Sequence, residues 1–439
     1  MADKIEPRIL QGLVELLPKD QIIFNRMHDT IRRVYESFGF LPLDTPVMEL
    51  SEVLLAKAGG ETEKQIYRFK KGDNDISLRF DLTVPLARYV AQHQNDLAFP
   101  FKRYQIAKSY RGERPQHGRF REFYQCDIDV IGADSLDLIY DAEMPAIIYN
   151  VFKELDICKF TVKINSRKIL GGFFDFLSLY EKTTDIIRTI DKLDKIGMDA
   201  VLCELEKIGT NGKTDDIIRF LTIDGTHDEV IAKLRELGCE NDMFREGVNE
   251  LEQVIGYMRD FGIPDDYFKP DLTIARGLDY YTGTVYETTL DDYPSLGSVC
   301  SGGRYDNLTG YYTDQKLPGI GVSIGLTRLF SQLKEAGLIG DDGRGSIIDV
   351  LVIPMDRSVM ANALDTAKAF RAAGIPTDVY YQEKGMKPKM KYANRIGVPY
   401  VAIIGDEEAK AGKVMLRPMI SDGEQCAVTV EEAVKMIKR

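Results

Sequence analysis

Long apolar runs are missing from this chain of 439 residues. None reaches the length of about 18 residues that a transmembrane helix requires. The opening residues, MADKIEPRIL, mix acidic and basic side chains and do not resemble a secretory leader, in which a positive region precedes an apolar one. We therefore expect a cytoplasmic protein with no membrane partner.

Cysteine and histidine are scarce and dispersed. The six cysteines include no Cys-x-x-Cys pair, and the four histidines lie at spacings unrelated to them. Structural zinc sites take their ligands from closely spaced cysteines and histidines, and disulfide frameworks need a dense cysteine pattern. The sequence therefore predicts no zinc, no disulfide framework and no dedicated metal site on the protein.

Positive charge is also in short supply, because the formal net charge is −12. An acidic total argues against a nucleic-acid partner when it is taken alone. From residue 347 to the end, however, there are 14 lysines and arginines and 12 acidic residues. Five of these cations fall within EKGMKPKMKYANR, residues 383–395. A solvated helix face is the ordinary interpretation of such a cluster.

Hydrophobic periodicity divides the chain. Residues 20–38 have apolar positions at helical spacing, with Asp20 as a candidate N-cap. Period-two alternation follows up to Val130 and returns from 271 to 325, which indicates half-exposed strands. We predict five segments from these patterns. Two alternating parts, 1–165 and 263–333, flank a helical insertion at 166–262 and are the expected location of any catalytic site; a linker at 334–346 and a C-terminal domain at 347–439 follow.

The C-terminal segment has short apolar strands alternating with helical stretches. The strand candidates are DVLVIPM, PTDVYY, YVAIIGD and KVMLRPM, and the helices are predicted near 358–373, 385–396 and 430–438. That order is typical of a small three-layer α/β domain.

Two glycine-rich stretches resemble phosphate loops superficially. GTNGKT, residues 209–214, lacks the first glycine of a Walker A loop because residue 207 is lysine, so a turn between helices is predicted. GIGVSIG, residues 319–325, has the wrong spacing for a dinucleotide fingerprint. Its glycines more plausibly allow a strand to pack closely under a ligand or a neighbouring strand.

The alternating segments place polar side chains together on one sheet face. In SLRFDLTVP, alternation puts Arg79, Asp81 and Thr83 on one side of a predicted strand. In FYQCDIDVIG, Gln125 and Asp129 share a side, while the intervening apolar residues mark the opposite, buried side. A face with carboxylates, an amide and arginines is either solvated or a binding site.

These polar stretches match the peptides of one enzyme class in order along the chain. Residues 109–132 (SYRGERPQHGRFREFYQCDIDVIG) resemble motif 2 of class II aminoacyl-tRNA synthetases, and residues 318–329 (PGIGVSIGLTRL) resemble motif 3. The first helix with LPLDTPVMEL is similar to motif 1, with its proline at Pro46. ARGLDYYTGTVYET (275–288) and SVCSGGRYDNL (298–308) resemble the two signature peptides of histidyl-tRNA synthetases.

The resemblance covers nearly the whole chain and implies an α+β fold. Its expected parts are a class II antiparallel sheet with flanking helices, a helical insertion, and a C-terminal three-layer α/β anticodon-binding domain. The implied reaction joins L-histidine and ATP into histidyl-adenylate and pyrophosphate and then transfers histidine to the 3′ end of histidine tRNA. Motif 1 implies a homodimer.

The resemblance also assigns the ATP site. Activation brings a carboxylate against a phosphate, so fixed positive charge is needed, and arginine binds such oxygens with two parallel hydrogen bonds. Arg276, Arg111 and Arg328 match the catalytic arginines, with Arg276 between the substrate carboxylate and the α-phosphate. Glu113, Arg121 and Phe123 complete the implied ATP site, with Mg²⁺ carried on the phosphates.

A second set of matching positions concerns histidine. An ammonium group needs acceptors, and an imidazole needs an acceptor together with a partner that both donates and accepts. The histidine-binding positions implied by the family are Asp81, Leu82, Thr83, Gln125, Asp129, Arg276, Tyr280, Tyr281 and Tyr305. A site that hydrogen-bonds both ends of a side chain rejects analogues by roughly 10⁴ to 10⁵, so no editing domain is expected.

Further positions are implied to contact tRNA. Arg114 and Gln116 match residues of the motif 2 loop that approach the acceptor end, and the insertion is expected to touch the acceptor arm. The resemblance places the basic cluster on the anticodon side, at Lys387, Lys389, Lys391 and Arg395. Local rather than total charge governs phosphate contacts, so the acidic total is compatible with this partner.

The sequence departs from the family near Gly12. Gln11 stands where an arginine is usual, and Glu15 where an aspartate is usual. Two rival functions remain open at this point: a histidine-sensing regulatory subunit of histidine biosynthesis that kept the fold and lost catalysis, and an adaptor that binds tRNA without chemistry. The C-terminal segment and the arginine peptide favour the enzyme.

Overall fold

The computed structural model describes residues 4–56, 61–114, 118–190, 192–210, 212–274, 281–306, 309–339, 346–419 and 423–438. By internal contacts the chain forms two compact units, one of residues 1–14 and 27–338 and the other of residues 15–26 and 339–439. No helix in the described ranges combines the length and apolar character needed to cross a membrane.

The strands of the described residues are β1 (Leu41–Pro42), β2 (Met48–Leu50), β3 (Arg68–Lys71), β4 (Asn74–Leu78), β5 (Phe101–Tyr110), β6 (Glu122–Ile131), β7 (Phe160–Ser166), β8 (Phe268–Pro270), β9 (Thr284–Leu290), β10 (Ser298–Tyr305), β11 (Gly319–Ile324), β12 (Val350–Pro354), β13 (Thr377–Val379), β14 (Tyr400–Ile404), β15 (Lys413–Pro418) and β16 (Cys426–Thr429).

The α-helices of the same ranges are α1 (Pro18–Ser37), α2 (Ser51–Leu55), α3 (Glu61–Gln65), α4 (Thr83–His93), α5 (Ile139–Glu154), α6 (Arg167–Phe176), α7 (Thr183–Ile190), α8 (Leu193–Ile196), α9 (Met198–Ile208), α10 (Thr214–Leu221), α11 (His227–Glu236), α12 (Asp242–Asp260), α13 (Leu326–Glu335), α14 (Met360–Ala372), α15 (Met386–Ile396), α16 (Asp406–Ala411) and α17 (Val430–Ile437).

The large unit is built on an eight-stranded sheet of order β1-β5-β6-β11-β10-β9-β7-β8. Its neighbours pair antiparallel except β1 with β5 and β7 with β8, which are parallel pairs at the two edges. Along β6 the residues Cys126, Ile128 and Val130 are fully buried on one side. The predicted alternation of apolar and polar side chains holds for this strand, but the predicted half-exposure does not, because Asp127 and Asp129 on the other side are buried as well.

Helices α6 to α12 stand between β7 and β8 in the chain, as the helical periodicity predicts. Gly209 and Gly238 have positive φ angles of 83° and 64° where successive helices meet. GTNGKT lies between α9 and α10, so its interpretation as a turn between helices is confirmed. A separate three-stranded sheet of order β2-β4-β3 comes earlier in the chain than these helices.

The second unit contains a five-stranded sheet of order β13-β12-β14-β15-β16. Alternate residues of β12 enter two hydrophobic clusters: Val350 and Val352 pack with residues of α14 and α17, and Leu351 and Ile353 pack with residues of α15. The three-layer α/β prediction is therefore confirmed, although β16 and α16 were not among the predicted elements.

Two local predictions are wrong. Helix α1 begins at Pro18 rather than after Asp20, and proline at the first helical position costs no hydrogen bond because that N–H has no partner in a helix. The predicted strand through Arg79, Asp81 and Thr83 stops at Leu78, and Thr83 is the first residue of α4.

Candidate functional site

A cavity of about 560 Å³ opens on the polar face of the large sheet. Strands β6, β10 and β11 supply its floor, and the loop between β5 and β6 and the first turn of α13 supply walls. Six of the predicted residues that line it are Asp81, Thr83, Arg111, Glu113, Phe123 and Gln125. Tyr281 and Arg328 line it as well.

Arg111 lies immediately after β5, at the mouth of the cavity. Its Nε donates a hydrogen bond of 3.1 Å to the carbonyl oxygen of Phe80. Its guanidinium carbon lies 5.1 Å from the ring centroid of Phe123 on β6. A backbone acceptor and an aromatic face therefore fix the plane of the guanidinium before any anion binds.

Arg328 reaches the same cavity from another part of the chain. It lies in the first turn of α13, and its Nη2 donates a 2.9 Å hydrogen bond to the carbonyl oxygen of Leu296. The helix is attached to the sheet because the Tyr124 amide donates to Thr327 Oγ1 over 2.8 Å. The structure thus brings together two of the three predicted catalytic arginines.

The loop between β5 and β6 is braced by Arg121. Its Nε donates to the carbonyl oxygen of Glu113 at 3.2 Å, and its Nη1 donates to the carbonyl oxygen of Gln11 at 3.2 Å. The Arg121 amide also donates to the Gly12 carbonyl at 2.8 Å. Both contacts from the N-terminal segment use backbone oxygens, which explains why glutamine at position 11 is compatible with the site.

The corner between β4 and α4 presents Asp81. Its Oδ1 accepts a 3.1 Å hydrogen bond from the Val84 amide, whereas its buried Oδ2 has no hydrogen-bond partner among the described residues. Burial raises the pKa of Asp81 to about 6, and nearby Arg111 opposes that rise. An orphaned carboxylate oxygen in a cavity wall is suited to accept hydrogen bonds from a cationic ligand.

Gln125 and Asp127 meet at Ser323 on the neighbouring strand β11. Gln125 Nε2 donates to Ser323 Oγ at 3.1 Å, and Ser323 Oγ donates to Asp127 Oδ1. Oε1 of Gln125 is buried and has no partner in the described part of the chain. Burial raises the pKa of Asp127, and Arg103 is the foremost charge that lowers it.

Asp129 is almost wholly buried beside this row. Its Oδ1 accepts from the hydroxyl of Tyr305 at 2.8 Å, and its Oδ2 lies 2.6 Å from Nη2 of Arg103. Two glycines of β11 make space for this pair, since a Cβ on Gly321 would overlap Asp129 and a Cβ on Gly319 would overlap the Tyr305 ring. The close-packing interpretation of GIGVSIG is therefore confirmed.

Arg103 is the functional candidate that the sequence patterns missed. It has no exposed surface and is among the largest fully buried side chains. The register of β5 against β6 places it opposite Asp129, and that register cannot be derived from the alternation of one strand. A buried arginine at a strand centre is unusual unless it is paired.

Some predicted residues cannot be placed. Arg276, Tyr280 and Gln116 lie outside the described residues. Arg114 is described and exposed. Leu82 is fully buried, and its carbonyl oxygen accepts from Arg103 Nη2 at 3.2 Å, so the side chain of Leu82 does not line the cavity.

The basic helix α15 corrects one prediction. Lys387, Lys391 and Arg395 are exposed and follow one another at i, i+4 and i+8 along one side. Lys389 is only 2% exposed, and its Nζ donates to the carbonyl oxygens of Pro354 at 2.6 Å and Met355 at 3.1 Å. Lys389 therefore does not present its charge on the surface, and the prediction that it belongs to a tRNA-binding surface is wrong.

Beside this helix lies a second cavity, of about 520 Å³. It combines aromatic, cationic and acidic side chains: Tyr380, Tyr381, Tyr392, Lys384, Lys391, Arg395 and Asp378. Aromatic rings next to cations are the groups that hold single-stranded nucleic acid, through base stacking and phosphate contact.

Comparisons with known proteins give consistent results. The family described as histidyl-tRNA synthetase matches residues 12–329, and the family described as anticodon binding domain matches residues 349–439. A histidine–tRNA ligase of Clostridium tetani is 56% identical over 437 residues, covering 99% of this chain and 99% of that relative.

Solved structures agree. The crystal structure of a histidyl-tRNA synthetase from Nostoc sp. PCC 7120 superposes with a TM-score of 0.92 at 43% identity, covering 99% of this chain and 100% of that one. A structure from Bacillus halodurans C, titled as an ATP phosphoribosyltransferase regulatory subunit/histidyl-tRNA synthetase, has a TM-score of 0.74 at 20% identity and covers 89% and 97%. That second likeness concerns the fold alone.

Proposed function

Because the chain belongs to the histidyl-tRNA synthetase family and is thereby an aminoacyl-tRNA synthetase, we propose that the cavity on the large sheet activates L-histidine with ATP and passes it to histidine tRNA. The observation that carries this assignment is the meeting of Arg111 and Arg328, from distant parts of the chain, in a cavity that also holds the orphaned carboxylate of Asp81.

Histidine is proposed to bind at the acidic end. Its ammonium group would donate to Asp81 Oδ2 and to Oε1 of Gln125, two buried acceptor atoms of cavity-lining residues that have no partner among the described residues. Its imidazole would extend towards Asp129, Tyr281 and Tyr305. A hydrogen-bonding pocket discriminates strongly, because an analogue without the matching group leaves buried polar atoms unpaired.

ATP is proposed to bind at the arginine end, with Mg²⁺ carried on its phosphates. Arg111 would contact the α-phosphate and Arg328 the γ-phosphate, while Glu113 and Phe123 would contact the adenine and Arg121 would brace the loop. The histidine carboxylate attacks the α-phosphorus, the bond to the β-phosphate oxygen breaks, and pyrophosphate leaves. Charge that develops on the α-phosphate oxygens is stabilised by guanidinium groups already held in place. Arg276 is proposed to join them there.

Transfer completes the reaction. The 3′-terminal ribose hydroxyl of tRNA attacks the carbonyl carbon of histidyl-adenylate, and AMP leaves. We propose that Arg114 and Gln116 approach the acceptor end, that helices α6 to α12 contact the acceptor arm, and that the exposed side of α15 contacts the anticodon arm. The arrangement of rings and cations beside α15 supports the last contact.

A homodimer is also proposed. One face of the three-stranded sheet β2-β4-β3 carries exposed apolar side chains, namely Met48 and Leu50 on β2 and Phe69 on β3. They lie on the same face because Leu50 and Phe69 both pair with Ile76 on β4. Exposed apolar patches typically mark interaction surfaces. Sedimentation analysis of the wild type and of Leu50→Asp tests this, because the substitution should shift the dimer towards monomer. A cytoplasmic location remains a prediction from the family.

The direct test of the proposed function is charging of a tRNA transcript. The chain should transfer labelled histidine to a histidine tRNA transcript in the presence of ATP and Mg²⁺, and should leave an alanine tRNA transcript uncharged. A regulatory subunit would bind histidine without forming histidyl-tRNA. That alternative is not favoured, because the relatives of high identity are ligases.

A further inference from the structure

Arg103 connects two parts of the proposed histidine site. It stands on β5 directly opposite Asp129 on β6. Its Nη2 lies 2.6 Å from Asp129 Oδ2 and also donates to the Leu82 carbonyl at 3.2 Å. Leu82 adjoins Asp81, so a single guanidinium links the corner that carries Asp81 to the buried carboxylate of Asp129.

The burial of this ion pair demands an explanation. The side chain of Arg103 is 0% exposed and that of Asp129 is 4% exposed. Nε and Nη1 of Arg103 are buried without a hydrogen-bond partner among the described residues. A buried ion pair with unsatisfied donors is weak evidence for stability, because an apolar pair of similar volume often stabilises as much. A role in the site accounts for the arrangement better.

The groups around Asp129 show what Arg103 contributes. Three titratable groups act on it besides Arg103: Asp127 on the same strand, Tyr305 on β10 through its hydrogen bond, and Asp81 before α4. Burial, together with the charges of Asp127 and Asp81, raises the pKa of Asp129 to about 7, and Arg103 opposes that rise. Without Arg103, the carboxylate would take up a proton more readily and could no longer accept through both oxygens.

We propose that Arg103 is a positioning residue for histidine recognition: its guanidinium pairs with Asp129 Oδ2, favours the ionised carboxylate and aligns it to accept the imidazole N–H of the substrate. This inference rests on the proposed function. It adds that the discrimination for histidine depends on a residue that does not itself touch the substrate. Loss of Arg103 should therefore weaken histidine binding selectively, leaving the ATP end of the cavity unchanged.

The test compares full-length wild type with Arg103→Met, Arg103→Lys and the control Lys102→Met in histidine-dependent pyrophosphate exchange. Lys102 is the adjacent residue of β5, and its Nζ lies 2.6 Å from Oε1 of Glu143; successive strand residues point to opposite faces, so this control breaks an ion pair away from the pocket. The readouts are KM for histidine, KM for ATP and kcat, measured from about pH 7 to about pH 8.5.

We expect Arg103→Met to raise KM for histidine by about 10- to 100-fold near pH 7, the size of one lost hydrogen bond to a charged group. KM for ATP and kcat should stay within about twofold. Because Asp129 is harder to ionise without Arg103, the KM of this variant should fall as pH rises, over a higher pH range than the KM of the wild type does. Arg103→Lys keeps the charge and should show a smaller increase, about 3- to 10-fold, with the pH dependence of the wild type.

Several results would overturn the inference. An unchanged KM for histidine in both arginine variants would do so, and so would a rise in KM for histidine and ATP together at every pH, as expected from a purely structural role. If Arg103→Met does not fold, Arg103→Lys carries the test through its KM for histidine. A wild type that shows no exchange would contradict the proposed function instead, which keeps the two failures distinguishable.

Discussion

Gly321 and Asp129 face one another across β11 and β6, and a Cβ atom on Gly321 would overlap Oδ1 of Asp129. That oxygen accepts the hydroxyl hydrogen bond of Tyr305, whose ring passes over Gly319 on the same strand. The two glycines therefore make room for Asp129 and Tyr305, the residues proposed to bind the imidazole, because any side chain there would displace the carboxylate or the ring.

Gly321→Ala should raise KM for histidine by about 10- to 100-fold, because the displaced Asp129 carboxylate would lose its proposed hydrogen bond to the imidazole of histidine. Steady-state pyrophosphate exchange measures the effect. The matched control is Gly256→Ala on α12, where an added Cβ meets nothing within 4 Å and alanine favours the helix. Equal KM values for Gly321→Ala and the wild type would contradict this account of the pocket.

Arg111→Lys should lower kcat for exchange by about 100-fold, in the range found when one donor to a developing charge is removed. Lysine cannot keep both the contact to the Phe80 carbonyl and a two-pronged contact to phosphate. Binding of ATP, measured by calorimetry, should weaken far less than kcat falls. A variant with normal kcat would show that Arg111 does not stabilise the transition state.

Arg276→Ala, in the signature peptide, should abolish exchange while ATP still binds.

Asp81 makes the unliganded protein less stable as pH rises. Its folded pKa of about 6 lies above the ordinary value of 3.8, so the stability that it contributes below about pH 4 is lost as pH rises to about 6 and stays lost above that. Asp81→Asn removes this loss and should gain on the order of 1–3 kcal/mol near pH 7 relative to pH 4. Urea unfolding at both pH values measures the difference. A pH-independent difference would show that Asp81 does not titrate as stated.

The N-terminal segment should affect ATP binding through its backbone. Gln11→Ala should leave KM for ATP unchanged, because position 11 contributes only its carbonyl oxygen to Arg121 among the described contacts. Gly12→Ala should raise it by about 3- to 10-fold, since the φ of 87° at Gly12 strains other residues by about 1–2 kcal/mol. The reverse order of the two effects would contradict the proposed bracing of the loop.

Substitutions on α15 separate surface from buried lysines. Lys391→Gln should raise KM for tRNA and reduce the slope of log K against log salt by about 1, as loss of one phosphate contact does, with exchange unaffected. Lys389→Met should instead destabilise the second unit by about 1–3 kcal/mol, because the carbonyl oxygens of Pro354 and Met355 lose their donor. Filter binding and thermal unfolding distinguish the two. Similar behaviour of both lysines would contradict the assignment.

The contrast between these two lysines shows where sequence patterns stop being informative. Helical spacing separates residues 387, 391 and 395 from residue 389, so the burial of Lys389 could have been read from periodicity. Charge composition alone grouped all of them together. The error at Thr83 has a different cause, since alternation was extended past Leu78 although the peptide continues as a helix.

Much of the fold and of the polar face follows from the sequence because alternation fixes which residues of a strand share a side. Gln125 and Asp129 were found in this way. Arg103 was not, because its role depends on the register between β5 and β6, and a pairing register cannot be derived from one strand alone. The same holds for Ser323, which joins Gln125 to Asp127 from a strand almost 200 residues away.

We propose that this cavity joins histidine, and no other amino acid, to the α-phosphate of ATP. Pyrophosphate exchange by the purified chain should be measured separately with each standard amino acid at saturating ATP and Mg²⁺. Exchange should depend on histidine and fall to background with the others. Absence of exchange with histidine, or comparable exchange with another amino acid, would contradict it.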